Sequence, residues 1–149
     1  MNQEKDIHLT SNFGEQQDTI REILQTASVI NNLQQKCLKP FHLSVQQYQV
    51  LHVLRQTFPD SLTAQELKMK MVDRTPNLTR MVDKLLSQKL LSRIRSNKDR
   101  RKVFIRITEK GLDFMAKLDS SQRDFLRLAD KLTVDETGQL TSLLLKIRN

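Results

Sequence analysis

Apolar positions recur every three or four residues through most of this chain. They give way to short β-branched runs in one region, between Leu90 and Ile107. Ile20, Ile23, Leu24, Ala27, Ile30 and Leu33, widened by Val29, predict a helix over about 15–38 that Pro40 ends. Before it, 1–14 is polar, with Ile7, Leu9 and Phe13 scattered, and reads as a loosely ordered arm. Ser44 is placed to cap a helix over 45–56, with Gln47 three residues on as a capping box asks. Val45, Tyr48, Val50, Leu51 and Leu54 form its inward side, and 58–61 reads as a turn. Thr63 then caps a short helix over 64–71, with Glu66 at its third position and Leu67 inward.

A second helix follows from about Thr75. Pro76 suits a first helical position, and either Thr75 or Asp73 can supply the cap. Leu78, Met81, Val82, Leu85 and Leu86 make one buried stripe. Cap, short helix, turn and longer helix in this order are the sequence form of a helix-turn-helix, here with no glycine in the turn. Runs 90–94 and 103–107 read as strands. The segment between them, 95–102, carries Arg95, Lys98, Arg100, Arg101 and Lys102 against the single acid Asp99. Odd residues of the second strand should face inward, with Phe104 also needing cover. Thr108 can cap a further helix through about Lys131, although Gly111 in its first turn costs about 1 kcal/mol relative to alanine. Thr133 and Glu136 open the last helix, whose stripe is Leu140, Leu143, Leu144 and Ile147.

Charge sharpens this picture. Residues 62–110 hold fourteen Lys and Arg against five Asp and Glu, a balance of +9, while the whole chain carries +8. The positive charge is therefore focused on the helix-turn-helix and hairpin, as on a polyanion-binding face. Asn77, Thr79, Arg80, Asp83, Lys84 and Ser87 lie beside the second helix's apolar stripe. Such side chains read base edges or grip phosphate when a helix enters the major groove; on an isolated helix they are a solvated face. The hairpin likewise reads as a wing following phosphate or entering a minor groove, or as a solvated turn.

With 149 residues the chain supports one domain, mainly α with a small β element, and three glycines and three prolines argue against an all-β fold. No apolar run approaches the roughly 18 residues that cross a bilayer. The polar start does not resemble a secretory leader, and one cysteine forms no internal disulfide. The default expectation is the cytoplasm, in contact with the nucleoid, with no membrane. No glycine-rich phosphate loop or zinc-binding helix motif suggests an enzyme or a cofactor. Cys37 reads first as a small core residue and second as an oxidation or ligand sensor, and with His42 it supplies too few ligands for zinc.

Three segments together resemble the MarR family of bacterial winged-helix transcription regulators. They are Leu43-Ser44-Val45-Gln46-Gln47-Tyr48, then Leu62-Thr63-Ala64-Gln65-Glu66-Leu67 with Asn77 to Leu85, and Lys89-Leu90-Leu91-Ser92-Arg93 with Asp99-Arg100-Arg101 and Ile107-Thr108-Glu109-Lys110-Gly111. The resemblance covers nearly the whole chain after the arm. It implies a homodimer whose N-terminal helix (15–39) and last helices (109–149) intertwine around two readers (44–108). It implies double-stranded DNA with a palindromic operator as the partner, repression, and response to a small aromatic or lipophilic effector lodged between dimer helices and reader. Carried over, the recognition-helix contacts are Arg74, Thr75, Asn77, Thr79, Arg80 and Lys84. The wing contacts are Arg95, Lys98, Arg100, Arg101 and Lys102, with Asp99 fixing the hairpin and Ser44 or Gln46 meeting phosphate. Two departures stand out: Pro76 stiffens the start of the recognition helix, and Lys89 stands where glycine is common, which predicts a different backbone there. An architectural DNA-binding protein and a winged-helix protein-interaction module are the alternatives.

Overall fold

A computed structural model of the chain describes residues 3–71, 77–95 and 102–149, with side chains from Phe13 onward except that of Asp124. Helix α1 runs Gln3–Leu38, so the expected arm is helical from its third residue. Its polar composition, with scattered apolar residues, reads as loose chain, and Gly14 stands at its end. A single glycine costs a helix only about 1 kcal/mol, and no proline stands before Pro40 to end it. A 3-10 turn, Lys39–Phe41, leads to α2 (Val45–Thr57). His42 there takes a left-handed φ of 52°. Its amide donates to the Lys39 carbonyl and that of Leu43 to Leu38, a Schellman closure.

The predicted capping boxes form. Ser44 and Gln47 exchange hydrogen bonds at α2, and Thr63 and Glu66 do so at α3 (Ala64–Lys70). The sequence predicts two strands, and three are present among the described residues. Leu62–Thr63 forms β1, which adds to β3 (Val103–Ile107), and β3 pairs on its other side with β2 (Leu91–Arg95). All pairings are antiparallel, with Leu62 opposite Ile105, and with Leu91, Arg93 and Arg95 opposite Ile107, Ile105 and Val103. A two-residue strand has too little alternation to announce itself in sequence. Strand β2 starts one residue later than expected because Leu90 is occupied in the turn before it.

The expected single helix 109–131 is interrupted. It becomes α5 (Glu109–Ser121), α6 (Arg123–Leu126) and a 3-10 turn Ala129–Lys131. The Ser120 and Ser121 hydroxyls donate back to the Lys117 and Leu118 carbonyls at the end of α5, the kind of competition that bends or ends helices. Thr133 and Glu136 then box the start of α7 (Val134–Arg148). Buried hydrophobics fall between Leu38 and Leu118, uniting α2, α3, α4 (Leu78–Ser87), α5 and the inner sheet face.

Candidate nucleic-acid interface

Helix α4 buries Leu78, Val82 and Leu85 against this core, with Met81 and Leu86 half-buried. The opposite side leaves Asn77, Thr79, Arg80, Asp83, Lys84 and Ser87 exposed. The apolar stripe and polar face therefore fall where their spacing predicts. Asn77 occupies the N-cap position without a side-chain cap bond. The helix therefore opens at Leu78, later than the start at Thr75 and Pro76 that the sequence predicts, and Asn77 takes the cap position expected of Thr75 or Asp73. Asp73, Arg74, Thr75 and Pro76, two of them expected contacts, lie outside the described residues.

The end of α4 is closed tightly. Lys89 has φ 61°, its amide donates to the Leu86 carbonyl, and that of Leu90 donates to Leu85. This is a Schellman motif in the left-handed conformation that glycine favours. The expectation of a different backbone at Lys89 is thus overturned: lysine takes the glycine geometry. The two hydrogen bonds and the burial of Leu85 and Leu90 hold it there.

The same turn is clamped from α5. Thr108 Oγ1 donates to the Lys89 and Leu90 carbonyls, its amide donates to Leu90, and Lys110 Nζ donates to the Gln88 carbonyl at 2.9 Å. Gly111 lies against this turn. A Cβ there would overlap the Leu90 carbonyl oxygen and the Ile107 side chain. Gly111 is thus a packing requirement and not merely a poor helix former, which propensity alone could not reveal.

In the wing, Ile105 and Ile107 face inward as expected, and Phe104 is half-buried. Val103 does not follow the predicted pattern: at 38% exposure it sits toward the open end of the hairpin. The inner face thus grades from the Leu91–Ile107 pair, through Arg93–Ile105, to the Arg95–Val103 pair. Arg95 and Lys102 are exposed, whereas Lys98, Asp99, Arg100 and Arg101 lie outside the described residues. Under α4, Leu78, Val82 and Ile105 floor a cleft of about 470 Å³, with Thr79, Arg93 and Arg95 along it. Sequence reasoning missed two further exposed cations, Lys68 and Lys70 on α3. The Glu66 carboxyl is held below its ordinary range chiefly by the hydrogen bonds from the Thr63 amide and hydroxyl, aided by Lys102 and Lys70. Both lysines therefore lie within electrostatic reach of the start of α3.

Ser44 and Gln46 border a different, cationic cleft of about 710 Å³ with Lys36, Lys39 and His42. Cys37 is half-buried, and among the described residues no group of three or more His, Cys, Asp or Glu is arranged to hold a metal. Where α2 meets α5, Arg55 pairs with Asp119, and Tyr48 stacks on His52 with ring centroids 5.7 Å apart. Burial, then Arg55, holds the His52 pKa below the usual histidine value against the pull of Asp119.

A family model described as the transcriptional regulator SarA/Rot matches residues 32–118. An HTH-type transcriptional regulator of Bacillus subtilis (strain 168), YhbI, is 31% identical over 77% of this chain and 86% of its own. A mutant MarR from E. coli complexed with operator DNA is 29% identical, with a TM-score of 0.76 over 91% of this chain and 96% of that one. AbsC, a MarR family transcriptional regulator from Streptomyces coelicolor, has the same TM-score at 24% identity over 89% and 90%, which is a likeness of fold. The family-model match takes in the reader's helices, the wing strands and the Gly111 clamp, so the chain belongs to the MarR family of winged helix-turn-helix, DNA-binding transcription regulators, which are not enzymes.

Proposed function

We propose that this protein is a homodimeric, sequence-specific regulator that binds a palindromic operator and represses by occluding a promoter. The observation that carries the reading is the two-sided α4. Its apolar side is locked into the core, and Asn77, Thr79, Arg80 and Lys84 project outward beside a cationic hairpin. Base contacts from that face supply discrimination, while Lys and Arg on phosphate supply salt-dependent affinity. The MarR relative bound to operator DNA supports the same use of the fold here. In this reading Arg74, Thr75, Lys98, Arg100 and Arg101 extend the DNA-facing surface, Asp99 holds the wing, and Ser44 or Gln46 meets phosphate.

A second copy of the chain would cover the flanking helices. On α1, Ile20 and Leu24 are 49% and 65% exposed; on α7, Leu143 and Ile147 are 59% and 56% exposed. Apolar stripes of this extent support an interface on these helices. Two readers in such a dimer must lie about 34 Å apart, or a multiple of it, to meet successive major grooves. The cleft beneath α4 suits a small aromatic or lipophilic effector, with an apolar floor and few polar groups. It lies within the reader, so a ligand there would act by shifting α4 against the wing.

Selection of bound fragments from genomic DNA by the purified protein, at two salt concentrations, tests the reading. One enriched inverted repeat is expected at both. Even recovery of all sequences would replace the regulator with an architectural protein, and weak binding even at low salt would favour a protein-interaction module. Arg80→Ala should lower operator preference more than nonspecific attachment, and Arg101→Ala should weaken both.

A further inference from the structure

Asp83 stands on the exposed side of α4 as a carboxylate among the side chains that face DNA. An isolated carboxylate there would be repelled by phosphate. It is not isolated: Arg93 Nη2 of β2 meets Asp83 Oδ1 at 2.5 Å. Both anchors are rigid. Asp83 follows Val82 and precedes Leu85 by two residues, and these are 2% and 0% exposed. Arg93 sits on β2, paired with buried Ile105 of the central strand β3.

Helix α4 is already fastened to β2 at one point, the closure through Lys89 and Leu90. The ion pair adds a second point five residues upstream of Gln88, about 7.5 Å along the helix at 1.5 Å per residue. Seated on the core by Leu78, Val82 and Leu85 but tied to β2 at one end alone, the helix could still change its angle to that strand. Tied at two points, it holds a fixed angle to the strand that carries the wing.

We infer that Arg93 is a positioning residue that sets the angle between recognition helix and wing and masks the Asp83 carboxylate, rather than a DNA phosphate ligand. The inference rests on α4 being the DNA-reading helix. Each side chain is about half exposed, and exposed pairs contribute little to stability. The effect therefore belongs to DNA discrimination and not to folding.

Salt dependence separates the two roles. Each phosphate contact contributes about 0.9 to the slope of log affinity against log salt on duplex DNA. The test uses full-length protein, one duplex of scrambled sequence and the best duplex recovered by selection. Arg93→Met is expected to keep the wild-type slope on the scrambled duplex, whereas Lys84→Met lowers it. On the selected duplex, Arg93→Met should cut the preference over scrambled DNA by about tenfold, an effect of 1.4 kcal/mol or so. The swap of Asp83→Arg with Arg93→Asp should restore part of that preference, and a thermal midpoint within a few degrees of wild type is expected throughout. A slope reduced by about 0.9 per subunit for Arg93→Met would make Arg93 a phosphate ligand and overturn the inference. Full preference in Arg93→Met, or no recovery in the swap, would overturn it as well. Should selection yield no preferred duplex, the sequence-specific reading fails, while the slope on scrambled DNA still decides the role of Arg93.

Discussion

The reader and the flanking helices are written in the same hydrophobic code and come out differently. In α2, α4 and α5, residues at three- and four-residue spacing are buried: Val50, Leu51 and Leu54, then Val82 and Leu85, then Met115 and Leu118. In α1 before Leu38 and in α7, equally regular stripes leave Leu24, Val29, Leu140 and Leu144 between 41% and 65% exposed. Spacing reports that a face is apolar. In the reader the chain covers that face itself; on the flanking helices the single chain leaves it open. The reader also closes on itself locally, through capping boxes and Schellman turns that leave few spare residues between elements.

The comparison can be broken most forcefully at Gly111. Gly111→Ala places a methyl group against the Leu90 carbonyl and Ile107, so the reader should lose about 3 kcal/mol, read by urea denaturation. A loss under about 0.5 kcal/mol would mean the α5 clamp is not rigid. Next is Leu143→Asp in α7, exposed in the single chain. An unpaired carboxylate in an apolar dimer interface should weaken self-association by about 100-fold or more by sedimentation. Amide protection at Leu51 and Leu67 should persist, and simultaneous loss of both would show that the reader does not stand without its flanks. Lys89→Gly works in the opposite direction. Relieving a left-handed lysine should stabilise the reader by about 1 kcal/mol, detectable as a higher urea midpoint with an unchanged slope.

The smallest effect lies inside the reader, where α2 meets α5. His52 has a folded pKa below its unfolded value of about 6.5. The unfolded chain therefore takes up the proton first. The stabilisation is complete above about pH 6.5 and is lost as pH falls through that value toward the folded pKa. Wild type should lose more stability than His52→Gln between pH 7.5 and 5.5, and the ring resonances of His52 should titrate below 6.5. A midpoint at or above 6.5 would place Asp119, and not burial, in control.

Much of the fold was legible in sequence because its signals are local. Ser44 with Gln47, Thr63 with Glu66 and Thr133 with Glu136 each declare a helix start within four residues. The α4 stripe fixes which side chains face outward. What escaped depends on contacts distant in sequence. The role of Gly111 rests on Leu90, β1 on Ile105 and Phe104, and the Asp83 pairing on Arg93. Alternation offered one unused clue: Leu91, Arg93 and Arg95 share a face, which puts an arginine beneath the helix. The interruption after Ser121 was masked by Phe125, Leu128 and Leu132, which continue the spacing past two serines that turn back on their own helix.

The hand-off from α4 to β2 also constrains how this protein tolerates changes in length. Gln88, Lys89 and Leu90 are all engaged by hydrogen bonds, from within α4 or from Thr108 and Lys110. One inserted residue at this root would shift β2 by a step and turn Leu91 outward and Ser92 inward. Between Arg95 and Lys102 the same insertion leaves the root's register untouched. Related chains should therefore differ in length at the tip of the hairpin and agree, residue for residue, at its base.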